Sequence, residues 1–315
     1  MSVRAWRVCA ALLLLAGSAP LAADPLPAYP VEVHRLALVP PGQAREMPLR
    51  IVLPAEGGPW PVVVFSHGAN SSGELYSPVL DAWAAAGFAV LAPTHIDSES
   101  LALGLGPADA GRMLRTRVEE LRWLLTGLDA LGGHAGLAGR LDSGRRAVAG
   151  HSLGVMISAI VAGVPWRDLD SGELRHDVVP ELSALVSLHG VGRLPVLDDA
   201  GWQALSLPVF AVAGTDDPGL TGDGVARPWH WRLGVFDLPR AGRGHALVLP
   251  DGDHYLGGLI GRAMPASVPD TAGLAAVNRL SALFLRAELH GDADAARALA
   301  AEPPSQPAGR RLERR

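Results

Sequence analysis

Short apolar runs alternate with longer amphipathic stretches along most of the chain. Runs rich in aliphatic and β-branched residues predict buried strands at 61–65, 88–92, 147–149, 184–188, 209–213 and 245–249. Between these runs, apolar residues recur at helical spacing, which predicts helices over residues 76–86, 111–131 and 271–289. The alternation of strands and helices predicts an α/β fold with a doubly wound, mostly parallel sheet.

The order and spacing of the predicted segments also indicate the extent of the domain. Residues 31–38 and 49–53 predict two strands joined by a Pro-Gly turn, an antiparallel pair at the sheet edge. Only residues 189–208 separate two of the later strands, which is too few for a large cap domain. A chain of 315 residues that is 49% hydrophobic can bury one large core, so we expect a single domain over residues 24–300.

The two termini differ from the body of the chain. Arg4 and Arg7 precede an apolar run at 8–16, and small residues follow it, which predicts a signal peptide over residues 1–23 and an exported protein, periplasmic or secreted. The run is shorter than the roughly 20 residues that a membrane span needs, so no stable membrane anchor is expected. Residues 301–315 are rich in proline and arginine and predict a disordered tail.

Composition removes several classes of chemistry. All 27 basic residues are arginine, which rules out a Ser-Lys dyad and a lysine Schiff base. The one cysteine, Cys9, lies in the predicted signal segment, so the mature chain has no thiol nucleophile. A net charge of -5 argues against a nucleic-acid partner, and the oligomeric state stays open.

The most specific chemical signal is Gly150-His151-Ser152-Leu153-Gly154, a G-x-S-x-G pattern between an apolar strand and an apolar helix. A serine at such a turn has a strained backbone, and its hydroxyl is raised at the edge of the sheet. The amino end of the following helix favours the negative charge that acyl transfer develops. We therefore predict that Ser152 is the nucleophile of a hydrolase.

A serine nucleophile needs a general base and a carboxylate that orients the base. In folds built around this turn, the acid follows the serine along the chain and the histidine comes last. Asp216 and Asp217 follow the next-to-last strand; we favour Asp217, and Asp216 remains open. Of the histidines that follow, His254 comes directly after the last strand in a glycine-bearing loop, which favours it over His230 and His245.

Two backbone N–H groups are expected to bind the oxyanion, those of Leu153 and of Ala69 in the loop after the first central strand. His67 precedes Ala69 and could instead form a metal site with His95 and Asp97. That group lacks recognisable ligand spacing, so we expect no metal and no cofactor.

The substrate pocket is the least defined part of the predicted site. We assign His67, Trp229 and Trp231 to it, with the two tryptophans as a mobile aromatic wall. His189 breaks the expected chain order and is interpreted as a packed or rim residue. An uncapped cleft predicts a preference for esters of short acyl chains.

Several segments together resemble one branch of the α/β-hydrolase superfamily, namely residues 63–68, Tyr76, residues 86–93 and residues 150–154. The branch holds plasma-type platelet-activating-factor acetylhydrolases, chlorophyllases, and bacterial dienelactone-hydrolase-like and polyester hydrolases. The resemblance covers about residues 61–262. It implies serine-dependent ester hydrolysis, with Ser152, Asp217 and His254 as the triad and Ala69 and Leu153 as oxyanion donors.

These expectations combine into an exported serine hydrolase that cleaves a small-molecule carboxylic ester through an acyl-enzyme. A serine peptidase or amidase on the same fold is one alternative. A catalytically silent, hydrolase-like binding protein is another, although such a protein would be expected to lack one of the three triad residues.

Overall fold

Nine strands of the chain join into one sheet that carries helices on both faces. The computed structural model describes residues 26–134, 136–221 and 224–315. The predicted signal peptide at residues 1–23 lies outside the described residues. Among the residues described, no helix is both long and apolar enough to cross a bilayer.

The strands of the main sheet are β1 Val31–Leu38, β2 Met47–Pro54, β3 Trp60–Ser66, β4 Ala89–Pro93, β5 Leu141–His151, β6 Leu182–Leu188, β7 Val209–Gly214, β8 Gly244–Leu249 and β9 Arg311–Arg314. Their order across the sheet is β1-β2-β4-β3-β5-β6-β7-β8-β9. The six strands from β4 to β8 in this order are parallel. β1, β2 and β9 pair with their neighbours in antiparallel fashion.

The α-helices are α1 Ser77–Ala85, α2 Ala110–Thr126, α3 Leu128–Leu131, α4 Leu153–Val161, α5 Asp199–Ala204, α6 Gly234–Asp237, α7 Thr271–Leu285 and α8 Ala293–Ala301. Short 3₁₀ turns occur at Gly73–Tyr76, Glu99–Leu101, Pro107–Asp109, Trp229–Leu233 and Pro307–Gly309, and a π turn at Arg286–His290. Two small ribbons pair Trp166–Arg167 with Leu174–Arg175 and Gly219–Leu220 with Ala226–Arg227.

The alternation of side chains along each strand divides the core into two layers. In β3, Val62 and Val64 pack on the face that α2 and α4 cover. Val63 and Phe65 pack on the opposite face, under α1 and α7. A parallel strand buried on both faces therefore reads as a continuous apolar run, because both sets of side chains are excluded from water.

The predicted fold class is confirmed: the sheet is mostly parallel and doubly wound, with the predicted antiparallel pair β1–β2 at one edge. One predicted helix is shorter than expected. The apolar periodicity over residues 111–131 continues across Gly127, but α2 ends before this residue and α3 begins after it. The periodicity therefore reports which side chains face the core and not whether the backbone is one helix.

The tail differs from the expectation of disorder over residues 301–315. β9 pairs with β8 and covers what would otherwise be a free edge of the sheet. Leu312 is 2% exposed, and the Arg311 guanidinium lies over the Trp229 ring at 5.8 Å from its centroid. A single apolar residue among charged ones carries no periodicity, so the sequence pattern could not indicate this strand.

Candidate active site

Ser152 lies at a sharp turn between β5 and α4 with φ 53° and ψ −119°, a left-handed conformation that non-glycine residues rarely adopt. Its N–H donates to Leu188 O at 3.1 Å. The glycines on either side allow close packing, because a Cβ at Gly150 would collide with the backbone of Gly154, and a Cβ at Gly154 would collide with Ser66 O. The strained turn leaves Ser152 half-buried at the carboxyl edge of the sheet.

Asp217 follows β7 and is 2% exposed. Its Oδ2 accepts hydrogen bonds from His254 Nδ1 at 2.8 Å and from His189 Nδ1 at 2.9 Å. Its Oδ1 accepts from Arg232 Nε at 3.1 Å. Burial alone would raise the pKa of Asp217, but the hydrogen bonds from His189 and His254 outweigh it and hold this pKa well below the ordinary value. Asp217 is therefore an ionised carboxylate with three donors.

His254 lies in the loop after β8 and faces Asp217 through Nδ1. Because a carboxylate only accepts, the imidazole keeps its proton on Nδ1, and Nε2 retains a lone pair. Burial lowers the pKa of His254 despite the opposing effect of Asp217. A neutral imidazole with a free Nε2 is the form in which a histidine can accept a proton.

The other candidates for the acid and the base lie elsewhere. Asp216 is exposed, and its N–H donates to Gly252 O. His230 is exposed in its 3₁₀ turn. His245 lies near the amino end of β8 with its ring 6.2 Å from that of Phe284, at the edge of the sheet opposite the serine turn.

A buried chain of hydrogen bonds connects the loop after β3 to the loop that carries His254. Gly68 N–H donates to Tyr76 Oη at 3.0 Å, and the Tyr76 hydroxyl donates to His151 Nδ1 at 2.9 Å. His151 Nε2 donates to the backbone carbonyl of His254 at 2.9 Å. Burial raises the pKa of Tyr76 to about 12 and lowers that of His151, so both stay neutral. The residue before Ser152 thus holds the backbone of His254.

Charged side chains beneath the loop at residues 67–70 fix its backbone. Arg117, fully buried in α2, donates from Nη1 to His67 O at 2.7 Å and from Nη2 to Gly68 O at 3.0 Å. Asp97 Oδ2 accepts from the N–H of Asn70 at 3.1 Å. Within the described part of the chain, the N–H of Ala69 has no acceptor, and the residue is exposed. The loop therefore presents one free backbone donor at the carboxyl edge of the sheet.

A second serine, histidine and acid lie in line beneath this loop. Ser66 Oγ lies 2.9 Å from His95 Nε2, and His95 Nδ1 lies 2.7 Å from Glu120 Oε2. All three are fully buried, so no substrate reaches Ser66. Burial raises the pKa of Glu120 to about 7, although Arg45 forms an ion pair with it. This chain is part of the core that supports the loop.

The three residues predicted to line the substrate pocket lie in different environments. The assignment of His67 to the pocket is wrong, because its side chain is fully buried and Nε2 accepts from the N–H of His95 at 2.9 Å. Trp231 lines a groove of about 270 Å³ together with Arg193 and His230. Trp229 packs at the edge of the core and contacts Arg311. None of these contacts joins either tryptophan to Ser152.

Two groups of residues contain the side-chain types that ligate metal ions. The ligand atoms of His189, Asp217 and His254 lie within 4.8 Å of one another. Both imidazoles direct an N–H at the carboxylate, however, and the Arg232 cation lies 2.9 Å from its other oxygen. A divalent cation would have to displace these hydrogen bonds next to a positive charge. In the group suggested by the sequence, the Asp97 carboxylate is paired with Arg117.

Three functional side chains were not identified from the sequence: His189, Arg232 and Arg117. Only His189 carried a local signal, since it follows a predicted buried strand directly, as an active-site residue of a parallel sheet does. It has a positive φ of 47° and is 1% exposed. Arg232 and Arg117 reach their partners from segments that no short pattern connects to the site.

The serine turn on a parallel, doubly wound sheet defines a protein of the α/β-hydrolase class. The family model for chlorophyllase matches residues 28–188, just over half of the chain, and the chain belongs to this family. Chlorophyllase-1, chloroplastic, of Citrus unshiu is 38% identical over 81 residues. The corresponding protein of Citrus sinensis is 37% identical over 81 residues. Each match covers 26% of this chain and 23% of the relative, so the chain spans about a quarter of the curated relatives that it matches.

Proposed function

We propose that this protein is a serine hydrolase that cleaves a small-molecule carboxylic ester through an acyl-enzyme. The observation that carries the proposal is the geometry at the carboxyl edge of the sheet. Ser152 lies at the strained turn, and the hydrogen-bonded pair Asp217–His254 has the histidine tautomer that a general base needs. Membership of the chlorophyllase family, whose relatives are named for an ester-cleaving activity, supports the same reaction type.

In the proposed first step, Ser152 Oγ attacks the ester carbonyl carbon while His254 Nε2 takes the hydroxyl proton. The carbonyl oxygen becomes an oxyanion, which the N–H groups of Ala69 and Leu153 stabilise. The ionised Asp217 stabilises the imidazolium that forms on His254. The bond to the leaving oxygen then breaks, and His254 returns its proton to that oxygen, so the free alcohol departs.

In the second step, water attacks the acyl-enzyme and His254 takes a proton from it. The tetrahedral intermediate collapses to the carboxylic acid, and the proton on His254 returns to Ser152 Oγ. No cofactor takes part in either step. The buried chain through Tyr76 and His151 keeps the oxyanion loop and the histidine loop at a constant separation during both steps.

The decisive experiment combines covalent labelling with substitution. A fluorophosphonate probe should label Ser152 alone, and Ser152→Ala should lose at least about 10⁴-fold in kcat/KM on a nitrophenyl ester. Ser66→Ala is the matched control, because Ser66 is buried beside its own histidine and should never be labelled. Labelling at another residue, or an active Ser152→Ala variant, would refute the mechanism. Comparison of ester and anilide substrates separates an esterase from a peptidase or amidase.

We also propose that the protein is exported. The basic residues Arg4 and Arg7 and the apolar run at residues 8–16 support this proposal. Amino-terminal sequencing of the protein after expression with its full chain should find a mature terminus near Asp24. A retained Met1 would count against export.

A further inference from the structure

A cavity of about 530 Å³ lies next to the loop that presents the free N–H of Ala69. Loops after β3 and β4 and the amino end of α2 form its walls. The lining is mixed, with the apolar residues Ile96, Leu103, Leu105 and Met113 beside the polar residues Asn70, Asp97, Ser98 and Glu99. Its volume is within the range of about 300–1,000 Å³ found for small-molecule sites. In the strand order, β3 lies between β4 and β5, so a cavity formed by the loops after β3 and β4 lies on the β4 side of the serine turn.

The position of the histidine loop decides which part of an ester points into the cavity. Leu256 and Ile260 of this loop belong to the core layer beneath α1 and α7. The loop is held there by Ser71 Oγ, which donates to Gly261 O at 2.7 Å. The cavity lies on the α2 side instead. Because His254 must return its proton to the leaving oxygen, the alcohol part lies toward the histidine loop, and the acyl part extends toward α2.

We propose that this cavity binds the acyl group of the ester, and that the group is neutral and of medium chain length. The proposal rests on the proposed function and names its substrate class. Ile96, Leu103, Leu105 and Met113 supply apolar contacts that a short acetyl group could not fill. Glu99 is an exposed carboxylate at the rim, which forms no ion pair with any described residue. Its charge disfavours an acyl group that ends in a second carboxylate. The sequence predicts a preference for short acyl chains instead, and the two esters below distinguish these expectations.

The test fills the cavity and compares two esters. Met113→Trp should lower the ratio of kcat/KM on nitrophenyl octanoate to kcat/KM on nitrophenyl acetate by about tenfold. Leu103→Trp at the exposed rim provides a second variant if Met113→Trp does not fold. Leu238→Trp is the matched control, since Leu238 is a half-buried residue of the separate groove beside Trp231. It should leave the octanoate-to-acetate ratio unchanged.

A charge test addresses the rim. Glu99→Gln should raise the ratio of kcat/KM on a nitrophenyl ester of adipic acid, whose far end is a carboxylate, to kcat/KM on the octanoate by about threefold or more at low salt. The assignment of the acyl site would be overturned if neither Met113→Trp nor Leu103→Trp changed the octanoate-to-acetate ratio of kcat/KM. It would also be overturned if Leu238→Trp changed this ratio instead. A wild-type protein without activity even on the acetate would refute the proposed function itself, so the two failures are distinguishable.

A separate observation concerns the second imidazole on Asp217. His189 and His254 donate to the same carboxylate oxygen, and Nε2 of His189 makes no hydrogen bond with any described residue. His189 is held at the carboxyl end of β6, where its N–H donates to Val212 O at 2.9 Å. It is buried, so it cannot touch substrate. His189 is buried, has a strained positive φ, and makes a single side-chain hydrogen bond within the described part of the chain, to Asp217. Strain of this kind at a site suggests that the residue has a function there.

We propose that His189 is a positioning residue that divides the charge of Asp217 between two imidazoles, so that the site keeps His254 neutral at lower pH than a single pair would. A carboxylate oxygen with one donor stabilises the protonated form of that donor strongly. With a second donor on the same oxygen, and Arg232 on the other, less of that stabilisation remains for His254. The other groups that face His254 are His151, with ring centroids 4.5 Å apart, and Tyr255, at 4.9 Å.

The test is the pH dependence of kcat/KM between pH 4 and 8. His189→Leu removes the donor, and the acid limb should move to higher pH by about half a unit or more, because more negative charge is left for His254. His189→Asn places an amide N–H where the imidazole had its Nδ1–H, and its acid limb should stay near the wild-type position. A folded His189→Leu variant with an unmoved acid limb would overturn the proposal. If His189→Leu does not fold, His189→Ala is compared with His189→Asn in the same way.

Discussion

Arg117 and Asp97 form a buried two-point ion pair beneath the loop that presents the N–H of Ala69. Nε of Arg117 donates to Oδ1 at 2.6 Å, and Nη2 donates to Oδ2 at 2.7 Å. Burial opposes the ionisation of Asp97, but the guanidinium outweighs it and holds the pKa of Asp97 well below the ordinary value. The pair therefore stays charged, and its remaining contacts fix the carbonyls of His67 and Gly68.

Removal of the cation from this pair should destabilise the fold. Arg117→Met leaves Asp97 buried and unpaired, which we expect to cost about 3–5 kcal/mol in the free energy of unfolding, measured with urea. The double variant Arg117→Met with Asp97→Leu should recover part of that loss, because no lone charge remains. Equal stability of the single and double variants would contradict this account. In the folded double variant, kcat should fall more than KM rises, since the oxyanion loop is less well held.

Substitution of the two adjacent acids after β7, Asp216 and Asp217, should have very different effects on kcat. Asp217→Asn removes the negative charge and replaces one acceptor oxygen with an NH2 donor, so the His254 tautomer is no longer fixed and kcat should fall by about 10³ to 10⁴-fold. Asp216→Asn changes an exposed residue and should keep kcat within about twofold. Steady-state kinetics on one nitrophenyl ester measures both. A large loss for Asp216→Asn with a small one for Asp217→Asn would reassign the acid.

Glu120 should make stability depend on pH. Its pKa is raised by burial to about 7, from 4.5 as the ordinary value, so the folded state binds a proton that the unfolded state releases between these values. Its contribution to stability is thus complete below about pH 4.5 and is lost as pH rises through about 7.

The matched comparison is Glu120→Gln, which cannot titrate. The difference in the free energy of unfolding, wild type minus variant, should decrease steadily from pH 5 to pH 8. Burial lowers the pKa of His67, which changes stability in the opposite direction but equally in both proteins, because His67 does not contact Glu120. His95 lies 2.7 Å from Glu120, but burial lowers its pKa as well, so it stays neutral in both folded proteins and its effect also cancels. A difference that is constant over this range would show that Glu120 titrates normally.

The carboxyl-terminal strand should contribute to stability although its sequence is polar. Leu312→Ala empties a buried position at the edge of the sheet and should cost about 2–3 kcal/mol. Glu313→Ala, one residue along the same strand, is exposed and should change stability by less than about 0.5 kcal/mol. Thermal or urea unfolding gives both values. Equal effects of the two substitutions would mean that β9 is not packed as described.

The fold class could be predicted from the sequence because a parallel strand that is buried on both faces consists of consecutive apolar residues. Runs such as residues 61–65 stay apolar at every position, and this pattern does not depend on distant residues. The turn at Ser152 is local for the same reason: a strand, two glycines and a helix within a few residues are enough to define it. Local pattern does not define the boundaries where tertiary packing decides them, as at Gly127 and in β9.

The sequence by itself determined the fold class and the position of the serine turn, and it predicted Asp217 and His254 as acid and base with Asp216 left open. Only the tertiary structure decided what surrounds the acid. The partners His189, Arg232 and His254 lie 28, 15 and 37 residues from Asp217 along the chain. They meet because a parallel sheet brings the carboxyl ends of distant strands to one edge. No periodicity records which side chains meet there, since side-chain contacts between loops depend on how the loops close over that edge.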